Sequence, residues 1–171
     1  MKVRNDFVTN SSSSSFILAF LSAEDGAAKI TALTAKHGTE YVTQLLTDFL
    51  NTTPISADDF AEHVKDDVES HARYAMHIGE GGWWSSNKPT FENLWRKNHP
   101  DASYWDYYES EEYKTELARR TKEIMDELNA KISEKPYVVE LEYEDHSETG
   151  SMLEHEILPG WEHTVRRFSH H

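Results

Sequence analysis

The amino-acid sequence predicts an α+β fold, in which a small, mainly antiparallel sheet is covered by central helices. Residues 13–21 contain a continuous apolar run, FILAFL, which is typical of a strand with both faces covered. Apolar residues then recur at helical spacing through the middle of the chain, and the period changes to two after Pro136. This order indicates a sheet made of an N-terminal strand and a C-terminal hairpin.

Five stretches between the two strand regions carry helical spacing. Gly38 separates the first two, and Ser56 provides an N-cap for the third, whose first turn is acidic as the helix dipole favours. The fourth is short and lies within an irregular, aromatic-rich segment at about residues 79–109, and the fifth is long. We predict helices over residues 27–36, 40–50, 57–78, 91–98 and 110–133.

The C-terminal hairpin is predicted from two segments, YVVELEYED and SMLEHEIL, separated by a turn that contains Gly150. With a loop over residues 147–149 and Gly150 in the left-handed conformation of a bulge, the apolar faces of the two strands coincide. The opposite face then pairs like charges, which is destabilising without compensation. These pairs are Glu142 with Glu154 and Glu140 with Glu156. Residues 163–171 are expected to form a third strand or a tail.

Length, charge and cysteine content limit the class of protein. The 171 residues show no repeat and no clear linker, so a single domain over residues 1–171 is expected. A net charge of −14 repels phosphate backbones, which disfavours direct nucleic-acid binding. The absence of cysteine excludes a disulfide scaffold and Cys-ligated metal. No apolar run approaches a membrane span and no signal peptide is recognisable, so we expect a cytoplasmic protein.

Two groups of histidine and carboxylate side chains are candidate sites for a divalent metal. His63, Asp67 and His71 are spaced by four residues and lie in one helical row. The two histidines are about 12 Å apart along the helix, so another ligand is needed, and His163 and His170 are available. The second group suits hard cations such as Mg²⁺ or Ca²⁺. It contains the carboxylates of the predicted hairpin, Glu140, Glu142, Glu154 and Glu156.

Both groups also have a plainer interpretation. The histidine row is typical of the polar flank of an amphipathic helix. The hairpin acids are typical of a solvated face, whose repulsion is balanced by a basic partner or by Arg4, Arg166 or Arg167 of the same chain. In the predicted register His155 lies on the apolar face, where a core histidine is expected.

Aromatic residues are dense between residues 83 and 113, where nine occur in 31 positions. Such a segment is the lid of a core, a small-molecule pocket or a protein interface, because tryptophan and tyrosine are enriched at interfaces. Acidic residues are interspersed among the aromatic ones, and this combination suits a basic partner. The candidate partner-binding residues are Trp83, Trp84, Trp105, Tyr107 and Tyr108.

The serine run before the first strand has a structural and a functional interpretation. Small hydroxyl side chains at the start of a buried strand permit close packing and satisfy nearby backbone groups. Successive hydroxyls and amides beside a cation also suit an anion site. The residues of that candidate site are Arg4, Ser11, Ser12 and Ser13.

The opening MKVRNDFVTNSSSSSF resembles that of a loosely defined set of uncharacterised bacterial and phage-associated proteins. The matching positions are Arg4, Asp6 to Asn10, Ser11 to Ser15 and Phe16. The resemblance implies a prokaryotic or phage source. It carries no activity and therefore no catalytic residue.

These observations favour an acidic binding or accessory protein that acts on a protein partner. An inhibitor from a phage or mobile element, directed at a basic surface that handles nucleic acid, fits the charge. The alternatives are a metal-dependent hydrolase that uses the His and carboxylate groups, and a small-ligand sensor built on the aromatic segment.

Overall fold

The described strands form a three-stranded antiparallel sheet with the strand order β2-β1-β3. The computed structural model describes residues 13–78, 89–144 and 147–170, with Ile78, Ser169 and His170 described by their backbone alone. The strands are β1 (Ser13–Phe20), β2 (Tyr137–Glu144) and β3 (Thr164–His170). The α+β class and the mainly antiparallel sheet are thus confirmed.

Nine α-helices lie in the described part of the chain. A π-helical turn, Leu153–Ile157, directly follows the last α-helix. In chain order the α-helices are α1 (Ala23–Ala32), α2 (Thr34–His37), α3 (Thr39–Asn51), α4 (Ala57–His63), α5 (Lys65–Ile78), α6 (Phe91–Asn98), α7 (Tyr104–Glu109), α8 (Glu111–Ser133) and α9 (Glu148–Met152).

The apolar run of β1 is buried on both faces, as its continuous pattern predicts. Phe16, Ile17, Leu18, Ala19 and Phe20 have no exposed surface. Side chains alternate along a strand, so one face carries Phe16, Leu18 and Phe20, and this face packs against helices α1 and α3 and the π-helical turn. Because both faces of β1 are covered, an apolar run without alternation is stable there.

The chain divides into two compact units. The first contains the residues up to Ser56 and those from Ile132 onwards, and it holds the sheet. The second, Ala57–Lys131, is helical in its described part and has its own core. Its buried side chains include Met76, Trp95, Tyr107 and Tyr113.

A network of ion pairs stabilises helix α8 within the second unit. Glu116 accepts hydrogen bonds from Arg119 Nη2 at 2.7 Å and from Arg120 Nε at 2.6 Å. These guanidinium groups lower the pKa of Glu116 to about 2, although partial burial opposes the shift.

The predicted C-terminal hairpin is wrong, because β2 pairs with β1 and residues 148–157 are helical. Glu142 lies opposite Ser15 of β1, not opposite Glu154. The predicted third strand at the C-terminus does form, and it pairs with the other edge of β1. The predicted pairing of Glu140 with Glu156 is therefore also absent.

The segment after β2 is helical because its start is capped and its apolar residues suit a helix. Ser147 Oγ accepts a hydrogen bond from the Gly150 amide at 2.9 Å. Leu153 and Ile157 are four residues apart and both are buried, which is helical spacing as well as alternation. Gly150 permits close packing on β2, since a Cβ there would lie 2.1 Å from the carbonyl oxygen of Glu144.

Helix assignments elsewhere agree with the sequence patterns, with three differences. The predicted helix over residues 27–36 begins earlier, at Ala23, and is divided into α1 and α2 at Leu33. The predicted helix over residues 57–78 is divided into α4 and α5 at Val64. The segment at residues 79–109 contains the expected helix α6 and also α7, which the pattern did not predict. None of the helices in the described part of the chain is long and apolar enough to cross a membrane.

Candidate functional site

The second unit presents two adjacent aromatic side chains to solvent on helix α7. Trp105 is 71% exposed and Tyr104 is 54% exposed. Their rings lie 5.5 Å apart in an edge-to-face arrangement, at an interplanar angle of 82°. This aromatic pair, Tyr104 and Trp105, is a large apolar surface that the described fold leaves uncovered, and such surfaces often mark binding sites.

Helix α7 holds the aromatic pair in place by its cap and by its buried face. Ser103 Oγ accepts from the Asp106 amide at 3.2 Å, and the Ser103 amide donates to Asp106 Oδ2 at 2.7 Å, which is a capping box. On the opposite side Tyr107 is completely buried and packs on Trp95, with ring centroids 5.3 Å apart. The pair is therefore preorganised on a short helix that is anchored at both sides.

Negative charge surrounds the aromatic pair in the sequence and at the surface. Residues 101–112 contain five acidic residues and no lysine or arginine. All five acidic residues are exposed: Asp101, Asp106, Glu109, Glu111 and Glu112. The guanidinium of Arg96 lies 5.9 Å from the Tyr104 ring centroid, and it is paired with Glu92.

A continuous chain of hydrogen bonds runs from the aromatic pair into the second unit. The hydroxyl groups of Tyr104 and Tyr108 are 2.9 Å apart. Tyr108 Oη lies 3.2 Å from His77 Nε2, and His77 Nδ1 lies 2.6 Å from Glu92 Oε2. Arg96 Nε donates to the other oxygen of Glu92 at 2.7 Å. Thus an exposed phenol is linked to a half-buried imidazole and carboxylate.

The surroundings of Glu92 and Tyr108 set the ionisation of these two groups in the hydrogen-bonded series. Burial raises the pKa of Glu92, but the hydrogen bonds from His77 and Arg96 outweigh it and hold the pKa below its usual range. Burial and the bond to Tyr104 raise the pKa of Tyr108. Near neutral pH, Glu92 is therefore a carboxylate and Tyr108 a neutral phenol, and the imidazole of His77 lies between them.

The structure divides the predicted aromatic segment between core and surface. Trp105 is exposed, Tyr107 is core and Tyr108 is partly buried. Trp83 and Trp84 lie outside the described residues. Sequence reasoning missed the roles of Tyr104, His77, Glu92 and Arg96. The spacing of four residues between Glu92 and Arg96, and between Tyr104 and Tyr108, is visible in the sequence. The bonds of His77 to Glu92 and Tyr108 join different helices and leave no spacing signal.

The predicted acidic metal site is divided between the two faces of the sheet. Glu154 has no exposed surface, and its Oε1 accepts from Ser14 Oγ and from Arg167 Nη2, each at 2.8 Å. Arg167 Nε also donates to Ser14 Oγ at 3.0 Å. Glu142 pairs with Ser15, whose side chain points to the opposite face from that of Ser14. The prediction of a solvated face is therefore wrong for Glu154, which is buried, whereas the predicted arginine of the same chain does pair with it.

The other predicted metal ligands are dispersed. His63 is exposed on α4, whereas Asp67 and His71 are partly buried on α5. Glu140 is partly buried on β2, Glu156 is exposed in the π-helical turn, and the side chain of His170 lies outside the described residues. Among residues 13–78, 89–144 and 147–170, no three His, Asp or Glu side chains converge on a position suited to a metal ion.

His163 is a buried side chain in the core of the first unit. Its ring stacks on Phe20 with centroids 5.1 Å apart, and its Nδ1 lies 3.4 Å from Lys135 Nζ. Burial, together with the charge of Lys135, lowers the pKa of His163. His155, in contrast, is 47% exposed, so its predicted place in the core is wrong.

The serine run is part of the sheet as far as it is described. Ser13 lies opposite Glu144, and Ser14 and Ser15 are buried in β1. Of the predicted anion site, Arg4, Ser11 and Ser12 lie outside the described residues.

Comparisons with known proteins add no relative: no protein-family profile, curated protein or solved structure matches this chain. The candidate site is therefore characterised by its own geometry and charge.

Proposed function

We propose that this chain is an acidic binding protein that docks on a basic surface of a protein partner through Tyr104 and Trp105. The observation that carries the proposal is the 71% exposure of Trp105 on a capped and anchored helix. Exposing an indole to water is unfavourable, at about 25 cal/mol per Å² of apolar surface, and a partner removes that cost by covering it.

The geometry of the aromatic pair favours binding energy. Tryptophan and tyrosine dominate binding hot spots because they bury a large area and lose little conformational entropy. Here the capping box and the buried Tyr107 already hold α7, so association orders few additional groups. Truncation of such an anchor is expected to cost about 2 kcal/mol of binding free energy or more.

The charge of the site indicates the chemistry of the partner. Five exposed acidic residues accompany the aromatic pair, and the whole chain carries −14. Proteins that handle nucleic acid present basic surfaces to phosphate, and an acidic protein competes for the same surface. Together with the resemblance of the opening segment, this supports an accessory or inhibitory protein of phage or mobile-element origin.

The test uses the full chain and a panel of purified bacterial nucleic-acid-binding proteins, with affinities measured by isothermal titration calorimetry. We expect at least one member to bind, and Trp105→Ala to weaken that binding about 30-fold. Tyr74→Ala is the matched control, because Tyr74 is 50% exposed on helix α5 and should change the affinity less than threefold. Increasing salt should weaken the complex, since the attraction is partly electrostatic.

Two results would contradict the proposal. One is the absence of binding to every member of the panel. The other is a complex whose affinity is the same for the unaltered chain and for Trp105→Ala.

A further inference from the structure

The hydrogen bonds that link Tyr104, Tyr108 and His77 can run in either of two donor-to-acceptor directions. His77 Nδ1 faces the carboxylate of Glu92 at 2.6 Å and therefore carries a proton, because a carboxylate can only accept. Whether Nε2 also carries a proton then depends on the protonation state of the ring. A neutral imidazole accepts at Nε2, and a protonated imidazole donates there.

The direction at His77 determines the direction at Tyr104. When Nε2 accepts, Tyr108 uses its only hydroxyl proton on His77 and accepts from Tyr104 across 2.9 Å. The proton of Tyr104 then points inward, and its outer lone pair faces solvent. When Nε2 donates, Tyr108 turns its proton toward Tyr104, and the proton of Tyr104 points outward.

We propose that the protonation state of His77 sets whether the exposed Tyr104 hydroxyl offers an acceptor or a donor to a partner. The partner class follows from the neutral state, in which an arginine side chain can stack on Trp105 and donate to Tyr104. Protonation of His77 withdraws the acceptor and adds a positive charge behind the surface. Binding of a cationic side chain is therefore weaker when His77 is protonated than when it is neutral. The preference for arginine depends on the proposed function, whereas the reversal of the hydrogen bond between Tyr104 and Tyr108 does not.

The groups that face the imidazole are compatible with this switch. Glu92 is shared between Arg96 and His77, so the cluster is neutral with a neutral imidazole and carries +1 when the imidazole is protonated. The phenols around it remain neutral in both states, because burial raises the pKa of Tyr107, Tyr108 and Tyr113. The described titratable groups in this cluster are Glu92 and Arg96 on α6, Tyr104, Tyr107 and Tyr108 on α7, Tyr113 on α8, and the Arg73–Glu69 pair on α5 itself.

The reversal is tested on the free protein by nuclear magnetic resonance, with labels at tyrosine Cζ and at the histidine ring nitrogens. Tyr104→Phe assigns the Tyr104 resonance by its loss. We expect the Cζ shift of Tyr104 to change with the same midpoint as Nε2 of His77. In Tyr108→Phe, which keeps the ring and removes the linking hydroxyl, His77 should still titrate and Tyr104 should no longer follow it. A Tyr104 shift that stays constant while the Nε2 signal of His77 changes, or that still follows His77 in Tyr108→Phe, would overturn the inference.

A second measurement separates this inference from the proposed function. An octa-arginine peptide is titrated into the full chain at pH 8 and at a pH below the His77 midpoint. We expect the affinity to fall about tenfold at the lower pH, the equivalent of one charge-assisted contact, and to fall less in Tyr108→Phe. If Tyr104 follows His77 but the peptide binds at neither pH, the reversal stands and the arginine-binding function fails.

Discussion

Replacing Arg167 by methionine tests the buried ion pair that links β1, β3 and the π-helical turn. The substitution keeps an unbranched apolar stem and removes the two donors that reach Ser14 and Glu154. We expect the free energy of unfolding to fall by about 3 kcal/mol, because a carboxylate with no exposed surface loses its counter-charge.

The magnitude follows from burial and distance. Two unit charges about 4 Å apart attract by about 4 kcal/mol at an effective dielectric constant of about 20. Breaking a buried pair from one side costs about 3–5 kcal/mol, and the lower end applies here because the side chain of Arg167 is 30% exposed. Glu154→Gln should cost only about 1 kcal/mol, since the amide oxygen still accepts from Ser14 and the guanidinium can turn to water.

Urea unfolding followed by circular dichroism provides the measurement, with the double variant Glu154→Gln/Arg167→Met completing a cycle. The double variant should be more stable than the sum of the single effects predicts, by about 2 kcal/mol. Equal destabilisation by the two single substitutions, or strict additivity in the double variant, would refute the reasoning, because either result means that the buried carboxylate does not depend on its counter-charge.

Three further substitutions test other contacts of the fold. Gly150→Ala places a Cβ 2.1 Å from the carbonyl oxygen of Glu144, so urea unfolding should show a loss of about 3 kcal/mol. Glu116→Gln should lower the melting temperature at pH 7 by about 3 °C, equivalent to about 1 kcal/mol. Since the pKa of Glu116 is 4.5 in a model peptide and about 2 in the fold, its stabilising effect is complete above pH 4.5 and disappears as the pH falls through 2. His163→Phe should reduce the loss of stability in acid, because the native pKa lies below 6.5 and the unfolded chain binds the proton first as the pH falls. Thermal unfolding between pH 7.5 and 5 measures this effect. The phenyl ring introduced at position 163 can still stack on Phe20, as the imidazole does.

Matched controls are available for each of these three substitutions. Gly160→Ala has nothing within 4 Å of the added Cβ and should leave the unfolding free energy nearly unchanged. Glu111→Gln removes an exposed acid of the same helix and should have a smaller effect than Glu116→Gln. His155→Gln alters a histidine that is 47% exposed and should change the unfolding temperature less than His163→Phe does. A control substitution whose effect equals that of its test substitution would contradict the contact assigned to the tested residue.

The sequence alone determined the elements whose patterns are local. The apolar run of β1, the alternation of β2 and the bounds of α6 agree with the structure because burial, alternation and capping act within a few residues. The aromatic segment was also visible as a candidate binding region. Its composition could not distinguish the buried Tyr107 from the exposed Trp105 two positions earlier.

The tertiary structure decided which strands pair and which polar groups meet. Residues 153–157 suit both an alternating strand and a helix, and the cap at Ser147 together with the close packing at Gly150 selects the helix. The partners Ser14, Glu154 and Arg167 are separated by up to 153 positions, and His77 reaches Glu92 across 15. Such contacts depend on the packing of whole elements, so spacing in the chain carries no information about them, and the place of His77 between Tyr108 and Glu92 is visible only in three dimensions.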